Sequence, residues 1–248
     1  MKILFISDIH ANIHALEAVW KRESDSDYIL CAGDLVDWGF HPAEVLDWCQ
    51  SHGVIAVAGN HDREIAAHYH AMESGIQPPE GTFAQRHMEQ LQPQHIAYLD
   101  QLPDTVQFAA GEFAFFIKHY YNEDEMNRHG LLARWAQCES KKTFDEVWPD
   151  SVRGEHRVIL TGHSHQCCLH QSYAGAWYLN PGSISYRVCT DSRSKGAHYA
   201  VLQDGEFRLR YADYDRSVFV PMIDTTPLNE TVRTMVRYHL VADLPEVD

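Results

Sequence analysis

Lys2-Ile-Leu-Phe-Ile-Ser-Asp8-Ile-His10 is a short apolar run that stops at a carboxylate and, two residues on, an imidazole. A run of this length and content reads as a buried strand. Working outward, Ile13 to Lys21 reads as a helix with Asn12 as its N-cap. Tyr28-Ile-Leu-Cys31 is the next strand, Pro42 to Gln50 a helix with proline in its first turn, and Val54 to Ala58 a third strand. Strand–helix–strand–helix–strand predicts an α/β sheet with a parallel part. Arg63 to Leu102 reads as helical, broken at Gly75 and Pro78-Pro79. Phe113 to Lys118 is a fourth strand, and Asn122 to Asp150 is polar and helical. Val158–Thr161, Ala176–Asn180, His198–Leu202 and Phe207–Tyr211 are further strands.

What ends these strands matters most. Asp8, Asp34, Asn60, His119 and His163 each follow a short apolar run. In open α/β sheets the C-terminal strand ends share one edge, and ligands bind there. Five strands therefore aim metal-type donors at one place. Around them, Asp8-Ile-His10 pairs a carboxylate with an imidazole. Gly33-Asp34-Leu-Val-Asp37 adds two carboxylates after a glycine that permits a tight exit. Gly59-Asn60-His61-Asp62 adds an amide oxygen and an imidazole, and Gly162-His163-Ser164-His165 adds two imidazoles.

The bulk properties bound the function. With 248 residues, 45% of them hydrophobic, the chain suits one domain with a full core, so metals enter as chemistry and not as fold supports. A net charge of −15 with no basic block argues against a long nucleic acid as partner. No apolar run reaches membrane-spanning length, so no membrane partner is expected. The opening residues charge too soon for a signal peptide and are expected to be the first strand. None of the six cysteines forms a C-x-x-C pair, which together with that opening points to a reducing, cytoplasmic setting.

The set D-x-H, G-D-x-x-D, G-N-H-D, a lone histidine after a strand and G-H-x-H resembles the calcineurin-like metallophosphoesterase superfamily. Ser7-Asp-Ile-His-Ala-Asn12 with its following helix, and Asn180-Pro-Gly-Ser183, are similar to the small bacterial and archaeal phosphodiesterase branch. The resemblance implies a four-layer α/β/β/α sandwich: one domain over residues 1–248, with helical decorations over the site at 63–102 and 120–150. It implies two divalent metal ions, Mn2+, Fe or Zn2+. Asp8, His10 and His165 would hold the first, Asn60, His119 and His163 the second, and Asp34 would bridge. His61 would face the substrate as proton donor, with Asp37 accepting from its ring and Asn60 also contacting substrate. The implied reaction is hydrolysis of phosphodiester or pyrophosphate bonds of small nucleotides by a metal-bridging hydroxide.

The chain departs from the family where glycine usually follows the first histidine and the lone histidine; here these are Ala11 and Tyr120. Tyr120 bears on substrate choice: it narrows the pocket or stacks on a base. His129 is the alternative to His119, and His68, His70 and Trp38 are further substrate-side candidates. A phosphomonoesterase or protein phosphatase fits the same ligands. A non-catalytic scaffold of the same fold is the reading from another class, and the complete ligand set weighs against it.

Overall fold

The computed structural model describes residues 1–120, 154–171, 176–186 and 196–241. In chain order the elements are β1 (Lys2–Ile6), α1 (Ile13–Glu23), β2 (Tyr28–Cys31), α2 (Pro42–Ser51), β3 (Ile55–Ala56), α3 (Asn60–Glu73), α4 (Phe83–Gln90) and α5 (Pro93–Gln101). Then come β4 (Thr105–Ala110), β5 (Phe113–Lys118), β6 (His156–Leu160), β7 (Cys168–Gln171), β8 (Trp177–Asn180), β9 (Ala197–Gln203), β10 (Glu206–Ala212), α6 (Phe219–Thr225) and α7 (Glu230–Leu240).

Two five-stranded mixed sheets result, with orders β10-β9-β1-β2-β3 and β4-β5-β6-β8-β7. β1, β2 and β3 are mutually parallel in the first, and β5, β6 and β8 in the second. All five residues of β1 are buried because the strand packs on both faces, as parallel strands do. Ile3 and Phe5 meet Phe115, Ile117, Val158 and Leu160 of the second sheet. Leu4 and Ile6 meet Leu16 and Val19 of α1 and the other helices of the first sheet's outer layer. On the second sheet's far face Ala114, Phe116, Ile159 and Tyr178 are also buried. This is the expected sandwich of stacked mixed sheets with helices outside, and it brings the C-terminal ends of both parallel sets to one rim.

Some expectations change in detail. The strand Val54–Ala58 shrinks to Ile55–Ala56, because Ala58 N–H turns away to the Pro103 carbonyl. Asn60 thus opens helix α3 and does not simply follow a strand. The helical stretch 63–102 is three helices, parted near Gly75 and Pro78-Pro79 and again where Pro93 starts α5. Ile96 and Leu99 of α5 join the core on the first sheet's outer face. β4 and β7 are strands not foreseen. The segment 122–150 expected to be helical, its share of the helical decoration at 120–150, and His129 lie outside the described residues. No helix among the described residues is long and apolar enough to cross a membrane.

Candidate metal centre

The loops after β1 and β2 zip together through Asp8 N–H to Gly33 O, His10 N–H to Asp34 O and Ala11 N–H to Leu35 O, all between 2.9 and 3.0 Å. The pairing bends both loops hard. Asp8, His10, Ala11, Asp34, Asp37 and Trp38 all take positive φ, as do His163 and His165 after β6. Among the described non-glycine residues only Asp204, in the β9–β10 turn, shares that conformation. Left-handed backbone at such residues costs roughly 1–2 kcal/mol each and persists where surroundings over-determine it. Two glycines make room: a Cβ on Gly59 would stand 2.0 Å from Asp34 Oδ1, and one on Gly162 2.0 Å from Ser7 Oγ.

All seven expected donors meet on the rim. Asp8, His10, Asp34, His119 and His165 are buried, while His163 is exposed. His165 Nε2 lies 3.1 Å from His10 Nε2 and 3.3 Å from Asp8 Oδ1. His119 Nε2 lies 3.1 Å from Asp34 Oδ2 and 3.2 Å from Asn60 Oδ1, itself 2.9 Å from His163 Nδ1. Asp34 Oδ2 also stands 3.9 Å from His10 Nε2, linking the groups.

These spacings fit a metal. Two donors on one ion, each at about 2.1 Å, stand roughly 3.0–3.4 Å apart in octahedral or tetrahedral geometry. The tautomers fit as well. His119 Nδ1 faces the Ala32 carbonyl at 2.6 Å and His165 Nδ1 the Tyr186 carbonyl at 3.0 Å, so each neutral ring donates outward and turns a bare Nε2 inward. His165 Nε2 then faces His10 Nε2, while buried His10 Nδ1 has no hydrogen-bond partner among the described residues to fix its tautomer. Asp8, Asp34, His10, His119, His163 and His165 fall into two three-donor groups, Asp8–His10–His165 and Asp34–His119–His163, and Asn60 adds an oxygen to the second.

Asp34 and Asp8 stay ionised and His10 neutral, whereas burial lowers the His119 pKa but the Asp34 charge raises it to about 9, so His119 holds a proton that a cation would displace. Burial works against ionised Asp34, yet the His119 and His10 rings hold its carboxyl well below the usual range. Burial likewise opposes Asp8, and His165 overcomes it. Burial drives His10 down to about 4, so it stays neutral and able to ligate.

Beside the donors, His61 Nδ1 stands 2.7 Å from Asp37 Oδ2. Burial lowers the His61 pKa, but the Asp37 hydrogen bond and the Asp34 charge raise it to about 9. Asp62 accepts from Leu35 N–H, Val36 N–H and Gly59 N–H, tying the β2 loop to the start of α3. Asn12 caps α1 and also donates to Ser185 Oγ. Asn180-Pro-Gly-Ser183 lies under the site: Asn180 Nδ2 donates to Gly162 O, and Ser183 Oγ to Asp8 O. Tyr120 stacks on His163, with ring centroids 4.7 Å apart. His68 and Trp38 line a cavity next to His61, whereas His70 pairs with Asp100 and does not line it.

Sequence reasoning missed His87 and Tyr186. Buried His87 accepts from Asp37 N–H through Nε2 at 3.0 Å, and the Tyr186 ring stacks on His10 at 5.2 Å. No pattern marks either residue; only the fold brings them to the rim.

Residues 1–204 match the calcineurin-like phosphoesterase superfamily domain. The chain is 39% identical to an uncharacterised protein of Methanocaldococcus jannaschii over 240 residues, covering 86% of this chain and 88% of that one. It superimposes on a metallophosphoesterase from Sphaerobacter thermophilus with a TM-score of 0.67 at 20% identity, over 95% and 98% of the two chains. A hypothetical protein from Pyrococcus horikoshii gives 0.70 at 15% identity, over 95% and 97%. With the sandwich, the rim of donors and a match over most of its length, the chain belongs to the calcineurin-like phosphoesterase superfamily.

Proposed function

We propose that the chain is a cytoplasmic phosphoesterase that uses two divalent ions to hydrolyse phosphodiester or pyrophosphate bonds of small nucleotides. The observation that carries this is the donor spacing, 2.9–3.3 Å between neighbours in two groups joined at Asp34. Asp8, His10 and His165 would hold one ion, Asn60, His119 and His163 the other, and Asp34 would serve both. Imidazole, carboxylate and amide donors suit Mn2+, Fe or Zn2+. Such ions supply Lewis acidity to a phosphoryl oxygen and lower the pKa of a bound water.

The chain's own residues bind the phosphate and move the proton. Asn60 and His61 begin the 14-residue helix α3, whose N-terminal N–H groups and dipole favour an anion. With the histidine and asparagine donors neutral as ligands must be, two dications against Asp8 and Asp34 would leave the site net positive inside an acidic protein. A water that has given one proton to solvent adds to phosphorus, the P–O bond to the leaving group breaks, the leaving oxygen takes a proton from His61 Nε2, and His61 regains a proton from solvent. Asp37, on Nδ1, keeps that proton on the substrate side.

The test is a screen of Mn2+-reconstituted protein against cyclic nucleotides, dinucleoside polyphosphates and phosphoprotein, with bis(p-nitrophenyl) phosphate and p-nitrophenyl phosphate side by side. Preferential turnover of nucleotide and diester supports the reading. Preference for monoester and phosphoprotein replaces it with a phosphomonoesterase or protein phosphatase. Bound metal with no hydrolysis replaces it with a non-catalytic scaffold.

A further inference from the structure

Helix α3 stands between two cavities at the rim. Residues three or four apart share a helix face, so Asn60 and Arg63 look one way and His61, Glu64 and His68 another. Asn60 and Arg63, with Lys118, Tyr120 and Asp104, line a cavity of about 370 Å3. His61, Glu64 and His68 line a second of about 190 Å3, walled by Trp38, Pro79, Phe83 and Val232. The second is smaller than the few hundred Å3 that drug-sized ligands occupy, so it suits one ring system and not a whole nucleotide.

Charge separates the two. Arg63 and Lys118 line the first cavity together with Asp104, which pairs with Arg63 at 2.9 Å, so its lining holds one cation more than it has carboxylates. The second has the Asp37 and Glu64 carboxylates and, among the described residues, no lysine or arginine in its lining; its one cationic group, His61, is paired with Asp37 at 2.7 Å, which leaves Glu64 in excess. A phosphate entering it would meet Glu64; a neutral ring would meet Trp38 and Phe83, whose centroids are 6.3 Å apart. Glu64 can accept a hydrogen bond from a ring amine. The Trp38 backbone is left-handed, at φ +55°, with its N–H bound to Asp37 Oδ1 at 2.8 Å. For a bulky residue that conformation is costly, and such strain clusters at binding sites. The cavity also includes His61, the residue that serves the leaving oxygen.

We propose that this cavity is the leaving-group subsite and seats an uncharged aromatic ring of nucleobase size, with Trp38 as its stacking platform and Glu64 as its hydrogen-bond acceptor. The assignment rests on the phosphoesterase reading above. It gives the substrate a direction: the charged remainder lies toward Arg63 and Lys118, and a nucleoside or aryl alcohol departs past His61.

The test is calorimetric titration of Mn2+-loaded protein with adenosine and with ribose, alongside turnover of bis(p-nitrophenyl) phosphate. Wild type is expected to bind adenosine and not ribose, with adenosine competing against the reporter substrate. Losing one stacked ring weakens binding roughly 5- to 150-fold, so Trp38→Ala should weaken adenosine by about that factor and raise KM more than it lowers kcat. Trp38→Phe restores most of the binding, and Glu64→Gln weakens it several-fold. Should Trp38→Ala fail to melt cooperatively, Trp38→Leu keeps bulk without the ring and carries the same expectation. A wild type that turns over the reporter yet ignores adenosine overturns the subsite alone. Equal binding by wild type and a folded Trp38→Ala does the same. Metal-loaded wild type that hydrolyses nothing overturns the phosphoesterase reading, and the subsite with it.

Discussion

Gly59→Ala isolates the seat of Asp34 from the rest of the fold. The Gly59 backbone is extended, at φ −88° and ψ 176°, so alanine brings no conformational strain. What it brings is a methyl group 2.0 Å from Asp34 Oδ1 and 2.4 Å from Asp34 N. Ordinary contact begins at 3.4 Å, so the carboxylate must retreat by about 1.4 Å. The backbone cannot follow freely, because Asp34 O is held by His10 N–H. Retreat also breaks the bond from His61 N–H to Asp34 Oδ1, now 2.9 Å. Overpacking of this kind costs about 1–3 kcal/mol. For a chain of this size that lowers the melting temperature by roughly 2–12 °C. A misplacement near 1 Å costs about a hundredfold in turnover, which comes on top of the loss of stability. Metal content by mass spectrometry, the melt of metal-free protein and turnover of bis(p-nitrophenyl) phosphate measure the three parts. Gly53→Ala is the control: glycine there has φ +62° with nothing within 4 Å of the new methyl group, so it should lose about 1 kcal/mol and no turnover. Full metal content and turnover in Gly59→Ala would refute the assignment of Asp34 to both ions.

Asp34→Asn should strip most metal and most turnover while the far-ultraviolet circular dichroism stays unchanged; normal metal content would remove Asp34 from the ligand set. His61→Ala should keep both metals and lower kcat by about 10²–10⁴, the usual share of a general acid, and loss of metal instead would make His61 a ligand. Glu23 is buried and bonded to Tyr199 and Arg210 at 2.8 Å each, with Lys2 Nζ also at 2.8 Å. Burial raises its pKa, but those three partners outweigh burial and hold it below the ordinary 4.5. A depressed carboxyl stabilises the fold above that ordinary value and loses its effect as pH falls through its own lower pKa. Glu23→Gln should therefore lose about 1–3 kcal/mol at pH 7, with the gap to wild type closing below pH 4.5; a gap independent of pH would contradict the ion cluster. Phe115→Ala, between the sheets and facing Phe5 at 5.5 Å, should cost about 3–5 kcal/mol in a denaturant melt, and a loss under 1 kcal/mol would mean the sheets do not share that core.

The donor positions were legible because each lies where a period ends. Asp8, Asp34, His119 and His163 follow short apolar runs, and parallel strands deliver their C-terminal ends to one rim whatever the intervening chain does. Asn180 to Ser183 could be read as a supporting turn for the same reason, since it follows β8 of the parallel set. His87 could not. It lies in α4, 50 residues from the Asp37 N–H it accepts, and its surroundings have the composition of any amphipathic helix. Tyr186 acts through its carbonyl and its ring face on His165 and His10, neither of which leaves a mark in a single sequence. β4 was overlooked although its residues alternate between exposed and half-buried, because the flanking helical stretch hid a period of two.

Where the strain lies shows how much bonding these loops need to hold their donors so closely. Eight of the nine described non-glycine residues with positive φ lie in the donor loops. Left-handed backbone at so many residues sums to several kcal/mol even at the low end of its usual cost. What offsets it is visible bond by bond: the loop-to-loop pairs of Asp8, His10 and Ala11, the three N–H groups on Asp62, and the Asn180 and Ser183 bonds beneath. The folding of the two sheets thus meets the ordering cost of the donor loops. The same logic places Trp38: its strained backbone belongs to the network that fixes Asp37, so the cavity wall and the group that holds His61 are set by one loop.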